Sequence, residues 1–194
     1  ADRQSAEQAA ALADAIARET ISGVTEVVAA GASVAVYVDH LAPDAARIEQ
    51  HLRVIAAHAD EVPPLAEGRV HEIAVRYDGA DLADVAARTG LSITEVIAKH
   101  SAPEYAVLAI GFAPGFAYLG ELDAALVLPR RDTPRARVPA GSVAIAGAQT
   151  GVYPRVSPGG WHLLGTTDAV LFDATRDEPA LFRTGDRVRF VPIG

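Results

Sequence analysis

Arg130, Arg131, Arg135 and Arg137 crowd into the run RRDTPRAR of a chain whose formal net charge is -8. A guanidinium binds carboxylate or phosphate through paired hydrogen bonds, so such a group beside a pocket suits an anionic substrate or a nucleotide phosphate. The same residues also suit a solvated strand edge, where charge blocks edge pairing. Pro129, Pro134 and Pro139 bracket the run and limit its freedom, which favours a functional part for at least one of the arginines.

Further along, Gln149 and Thr150 stand between Gly147 and Gly151, so a polar amide is displayed where the backbone can approach a ligand closely. Tyr153, Ser157 and Trp161 follow, spaced by Pro154, Pro158, Gly159 and Gly160. They supply donors, acceptors and an aromatic wall on a stiff frame, which suits a small polar ligand. Trp161 equally suits the filling of a core, and Phe112, Phe116 and Tyr118 divide between core and pocket lining in the same way. His100 immediately precedes the strand that enters this segment. It fits a general acid or base working near neutral pH, and it also fits a charge held by the dipole at a helix C-terminus.

Other chemistries are set aside by spacing or composition. There is no Walker phosphate loop, no GxGxxG and no GxSxG. The chain has no cysteine, which removes thiolate nucleophiles, disulfides and Cys-based metal sites. His51 and His58 lie on one helical face but read as a solvated surface, so no protein-bound metal is expected. The acidic balance, with a pI near 5.2, argues against a general nucleic-acid or anionic-membrane binder. No run approaches about 18 apolar residues, and the start ADRQSAEQAA lacks the basic end and apolar core of a signal peptide. A soluble, cytoplasmic protein is expected, and a first residue other than Met suggests processing or a missing leading piece.

The elements that must position these residues fall into two groups. Ser5 to Glu19 is Ala-rich, with Leu12 and Ile16 four apart, the pattern of an amphipathic helix capped by serine. VTEVVAA (Val24 to Ala30) and SVAVYVD (Ser33 to Asp39) are β-branched runs around Gly31, a predicted hairpin. Pro43 then opens a second helix to about Asp60, with Ile48, Leu52 and Ile55 on one face. Helix, strand, strand, helix is the middle of a split βαβ unit of the ferredoxin-like kind, which wants one more strand ahead of residue 5. Pro63, Pro64, Glu67 and Gly68 form a helix-breaking joint, dividing an N-terminal α/β domain (1–66) from a second domain (69–194).

In the second group, Arg69 to Tyr77 alternates as a strand, and Asp78-Gly79 turns it. Short helices are predicted from about Asp81 to Arg88, ending at Gly90, and from Ser92, where Glu95 completes a capping box. Tyr105 to Ile110 reads as a buried strand. The segment from Gly111 to Thr166 has too much Gly and Pro for helix and should be short strands with shaped turns. Further strands are expected at His162 to Leu164, Ala169 to Phe172 and Arg187 to Val191, with Thr184-Gly185-Asp186 as a turn. The whole reads as α+β, with a closed β-barrel in the second half.

The motifs GFAPGFAYLG, PRRDTPRARVPAGSVAIAGAQTGVYP and SPGGWHLLGTT resemble the KipI family, also called allophanate hydrolase subunit 1 or, in metabolic terms, the B subunit of 5-oxoprolinase. The resemblance runs from about Val70 to Ile193. It implies a small α/β N-terminal domain followed by a cyclophilin-like β-barrel. It also implies one component, inactive alone, of an ATP-dependent enzyme that converts 5-oxoproline, ATP and water to glutamate, ADP and phosphate. ATP, with Mg, would be a co-substrate. The partners would be an allophanate hydrolase subunit 2-like chain, which is the C subunit of 5-oxoprolinase, and a LamB/YcsF-type chain, its A subunit. Under that reading His100 and Arg135 are catalytic candidates, with His100 handling a proton. Arg130 joins Arg135 in holding phosphate or carboxylate, Gln149 and Tyr153 orient the substrate, and Ser157 belongs to the same binding set. Phe112, Phe116 and Trp161 line the pocket. The family also contains inhibitors of a sporulation histidine kinase, so the alternative is a kinase-binding module without catalysis.

Overall fold

In the computed structural model, residues 3–39, 41, 44–63 and 68–194 are described. The chain divides into two compact units, 1–67 and 68–194. Pro43, expected to open the second helix, and Pro64 and Glu67 of the expected joint lie outside the described residues.

In the first unit, helix α1 (Arg3–Arg18) precedes the antiparallel hairpin of β1 (Val24–Ala30) and β2 (Ser33–Val38), and α2 (Ala45–Ala57) follows. A short 3-10 turn covers Ala59–Glu61. Ala6, Ala9, Ala10, Ala13 and Ile16 are buried along α1, a stripe at helical spacing that turns one face inward. On α2 only Ile48 is fully buried, with Leu52 and Ile55 half-buried along the same face.

The second unit opens with β3 (Val70–Val75), α3 (Leu82–Thr89) and α4 (Ile93–Ser101). Gly90 ends α3 in the left-handed conformation. Ser92 caps α4, accepting from Glu95 N–H while the Glu95 carboxylate accepts from Ser92 N–H. The remaining strands are β4 (Glu104–Ile110), β5 (Ala117–Gly120), β6 (Arg135–Val138), β7 (Ser142–Ala146), β8 (Gln149–Val152), β9 (Ser157–Gly159), β10 (His162–Thr166) and β11 (Arg187–Pro192).

They form a large sheet in the order β10-β7-β8-β5-β4-β11-β3. Its pairings are antiparallel except for β11 with β3, which is parallel. The two ends of that order meet, because Arg76 and Thr166 exchange backbone hydrogen bonds of 2.9 and 2.8 Å. Gly165 permits this closure: a Cβ there would overlap the Arg76 carbonyl. The strands β6 and β9 pair separately as a two-stranded ribbon.

Alternation along the strands separates two cores. Val143 and Ile145 of β7, Leu119 of β5, Val107 of β4 and Phe190 of β11 pack inside the closed sheet with Val85 and Val96 from α3 and α4. Ala144 and Ala146, the alternate residues of β7, pack outside with Phe116, Val138, Tyr153, Trp161 and Leu163. The run Ala169 to Phe172, expected as a strand, is not one. Only Phe172 forms a bridge, to Ala180, and Leu171 is buried while Val170 and Phe172 are exposed. One anchoring side chain, rather than a ladder, accounts for the apolar run.

Candidate functional site

The outer core is where most of the predicted residues gather. Phe116 is its hub: ring centroids lie 5.4 Å from Phe112, 5.0 Å from Tyr118, 5.6 Å from Tyr153 and 5.6 Å from Trp161. The contacts with Phe112, Tyr118, Tyr153 and Trp161 are all edge-to-face, as the ring quadrupoles favour. Tyr153 and Trp161 are buried, whereas Phe112 is 59% exposed and sits at φ 66°. Gly159 of β9 lies directly over Tyr153, since a Cβ there would overlap the Tyr153 hydroxyl. Burial raises the Tyr153 pKa above its ordinary value, against a Trp161 backbone hydrogen bond and the positive charge of Arg130, which lower it.

Gln149 and Thr150 start β8 and, by alternation, point to opposite faces. Thr150 is fully buried on the inner side, while Gln149 is half-buried opposite Ala146 of the outer core. Ser157 lies in β9 opposite Val138. Its hydroxyl oxygen is buried without a hydrogen-bond partner, as are Arg131 Nε and His162 Nδ1. Buried polar atoms are seldom left unpaired, so these mark the β6–β9 region as incompletely satisfied.

The arginines are organised by Asp81, a residue that sequence reading took only as the start of a helix. Asp81 precedes α3, yet its side chain makes no cap hydrogen bond. Instead its carboxylate accepts from Arg135 Nη1 and Nη2 at 2.9 and 2.7 Å, from Arg131 Nη1 at 2.8 Å and from Leu163 N–H at 2.8 Å. Burial pushes the Asp81 carboxyl up, but the hydrogen bonds from Arg135 and Leu163 and both guanidinium charges outweigh it, so its pKa lies below the ordinary value. Arg131 and Arg135 keep 32% and 26% side-chain exposure. With one carboxylate against two guanidiniums, the cluster retains one positive charge. An acidic residue at a helix start that is not needed for capping was the available signal, and it gives no hint of its distant partners.

His100 is placed elsewhere. It is fully buried on the inner side of the sheet, with its ring stacked on Phe190 at 4.8 Å. Thr150 Oγ1 donates to the Ala144 carbonyl at 3.0 Å, so it must accept from His100 Nε2–H at 2.8 Å. That tautomer leaves His100 Nδ1 to accept from the Tyr77 hydroxyl at 2.8 Å. Burial holds the His100 pKa down to about 3 and raises that of Tyr77. His100 is thus a neutral donor and acceptor that fixes Tyr77 and Thr150, and the sheet separates it from the arginine and aromatic group. Tyr77 and Thr150 were not recognised as its partners because they are 23 and 50 residues away.

In the first unit, His51 pairs with Glu19 at 2.6 Å, and His58 Nδ1 lies 2.8 Å from the Val54 carbonyl. Among the described residues no group of three or more His, Cys, Asp or Glu is arranged to hold a metal ion. A cavity of about 910 Å³ in this unit is lined by Glu19, Asp39, Arg47 and His51 among others, and none of its lining residues belongs to the arginine and aromatic group. No helix among the described residues is long and apolar enough to cross a membrane.

A mixed α/β chain with a large, mainly antiparallel sheet has counterparts among carboxyltransferase domains. The family model for the carboxyltransferase domain, subdomain C and D, matches residues 1–182, and the chain belongs to that family. Over 129 residues it is 58% identical to the 5-oxoprolinase B subunit of Escherichia coli, covering 65% of this chain and 59% of that protein. The match therefore spans less than two thirds of that relative. The crystal structure of TTHA0988 has a TM-score of 0.87 at 44% identity, covering 100% of this chain and 38% of the other. Urea carboxylase of Kluyveromyces lactis has a TM-score of 0.71 at 16% identity, covering 100% of this chain and 20% of the other, a likeness of fold.

Proposed function

We propose that this chain is part of the B subunit of a 5-oxoprolinase, working in an enzyme that opens 5-oxoproline to glutamate with hydrolysis of ATP to ADP and phosphate. The observation that carries the reading is the 58% identity to a protein of that name. The outer face supports it chemically. A lactam carbonyl is a poor electrophile; transfer of a phosphoryl group from ATP to its oxygen, releasing ADP, activates the carbon toward water. The ring C–N bond then breaks to leave an acyl phosphate, and a second water hydrolyses this to the carboxylate and phosphate. Such a step needs cations fixed toward oxyanions. Arg135, oriented by Asp81 yet partly exposed, and Arg130 supply them, with Gln149 and Tyr153 as orienting groups and Ser157 beside them. His100, neutral and enclosed, is left to hold the scaffold.

In this reading the closed sheet is a cyclophilin-like barrel, and the helix–hairpin–helix order of the first unit is ferredoxin-like. ATP arrives with Mg as co-substrate. The site is completed in the cytoplasm by an allophanate hydrolase subunit 2-like partner and a LamB/YcsF-type partner, so the chain alone is inactive. The test is co-expression with both partners and measurement of glutamate release that requires ATP and 5-oxoproline. Arg135→Ala in the assembled enzyme is expected to lower turnover about a hundredfold. Failure of the chains to associate and to release glutamate would overturn the proposal and favour the kinase-binding alternative.

A further inference from the structure

Each lysine or arginine side chain described by the structure has a carboxylate within ion-pair distance, with the exception of Arg130, Arg137 and Arg155. In a chain with 25 acidic and 17 basic residues, a guanidinium without an acidic neighbour is the exception. All three exceptions lie in or beside the β6–β9 ribbon.

Arg130 has the most defined position of the three. The residues on either side of it are anchored: Arg131 N–H donates to the Gly160 carbonyl at 2.8 Å, and the Pro129 carbonyl accepts from His162 Nε2 at 2.9 Å. Gly160 and His162 flank Trp161, whose backbone hydrogen-bonds Tyr153, so Arg130 is held beside the hydroxyl end of that tyrosine. Its charge acts there. The ring of the same tyrosine meets Phe112, with centroids 6.4 Å apart and planes at 90°. Phe112 is mostly exposed and left-handed, a conformation costing a non-glycine residue about 1 kcal/mol or more. An exposed aromatic held at such a cost indicates selection for something other than burial.

We propose that Phe112 and Arg130, joined through the buried Tyr153, form a subsite for an oxyanion carried on a flat ring, with the ring against Phe112 and the anion on Arg130. The choice of candidate ligands rests on the 5-oxoprolinase reading, since a nucleotide and 5-oxoproline both have this chemistry. The subsite itself rests on a cation with no carboxylate partner among the described residues and on the exposed ring.

Trp161 is the chain's single tryptophan and packs on Phe116 of the same cluster, so its fluorescence reports occupancy. The chain is titrated separately with ADP, 5-oxoproline and inorganic pyrophosphate. At least one ring-bearing probe is expected to give a saturable change. Arg130→Ala should weaken it about tenfold or more, as loss of a charged hydrogen bond does. Phe112→Leu should weaken the ring-bearing probe about fivefold while leaving pyrophosphate within about twofold. Arg189→Ala, which removes a surface guanidinium on β11, should change nothing. Saturation by ADP alone assigns a nucleotide, and by 5-oxoproline alone the lactam. The proposal is overturned if neither ring-bearing probe binds the wild-type chain, if folded Arg130→Ala and Arg130→Gln both bind normally, or if Phe112→Leu weakens pyrophosphate equally. None of these readouts depends on glutamate release, so the subsite and the overall reaction can fail independently.

Discussion

Asp81 and Arg135 are joined by two hydrogen bonds, 2.9 and 2.7 Å long, that tie the residue preceding α3 to the first residue of β6, 54 positions later. Arg131 and the Leu163 N–H share the same carboxylate. One buried side chain therefore sets the position of the arginine segment relative to the barrel.

Asp81→Asn is expected to destabilise the fold by about 2–3 kcal/mol, because two guanidiniums lose their counter-charge and one keeps a buried, unpaired Nε. Urea unfolding at neutral pH measures this. The acid side follows from the same pair. The folded pKa of Asp81 lies below its unfolded value, so the stabilisation is fully present above about pH 4. It is lost as pH falls through the folded pKa, and wild type and Asp81→Asn should converge in stability there. A difference that persists undiminished into that range would count against the assignment.

His100 makes a prediction of the same sign in a pH window that extends higher. With a folded pKa of about 3 against an ordinary 6.5, the native state refuses a proton that the unfolded chain accepts. Stability should therefore rise with pH between about 3 and 6.5, by up to about 1.4 kcal/mol per unit, and level off above. His100→Gln should remove this slope, and the imidazole signals of His100 in NMR should not titrate between pH 5 and 8. A His100 titration near neutrality would contradict the enclosed, neutral state.

Gly159→Ala tests the packing beneath the ribbon. The added methyl overlaps the Tyr153 hydroxyl, and Tyr153 is confined by Phe112 and Phe116. A loss of about 1–3 kcal/mol is expected, with a change in Trp161 emission. Unaltered stability and emission would show that Tyr153 has room to move.

Local rules account for what was legible in the chain. Ser92 and Glu95 specify a capping box within four residues, Gly90 ends the preceding helix, and β-branched runs around Gly31 specify a hairpin; each is a short-range contest that nearby residues decide. Ala169 to Phe172 was misread because an apolar run satisfies the strand pattern whether or not a neighbouring strand is present to pair with it.

The candidate site was legible in composition and not in arrangement. The sequence alone determined that arginines, aromatics, glycines and prolines would concentrate between Gly111 and Thr166, since those residue types are incompatible with long helix and costly to place without use. Tertiary structure alone decided that Asp81 would organise Arg131 and Arg135, that Arg130 would have no carboxylate partner among the described residues, and that His100 would lie on the other face of the sheet. The reason is physical: which face a side chain occupies depends on strand register and barrel closure, and these are set by partners tens of residues away.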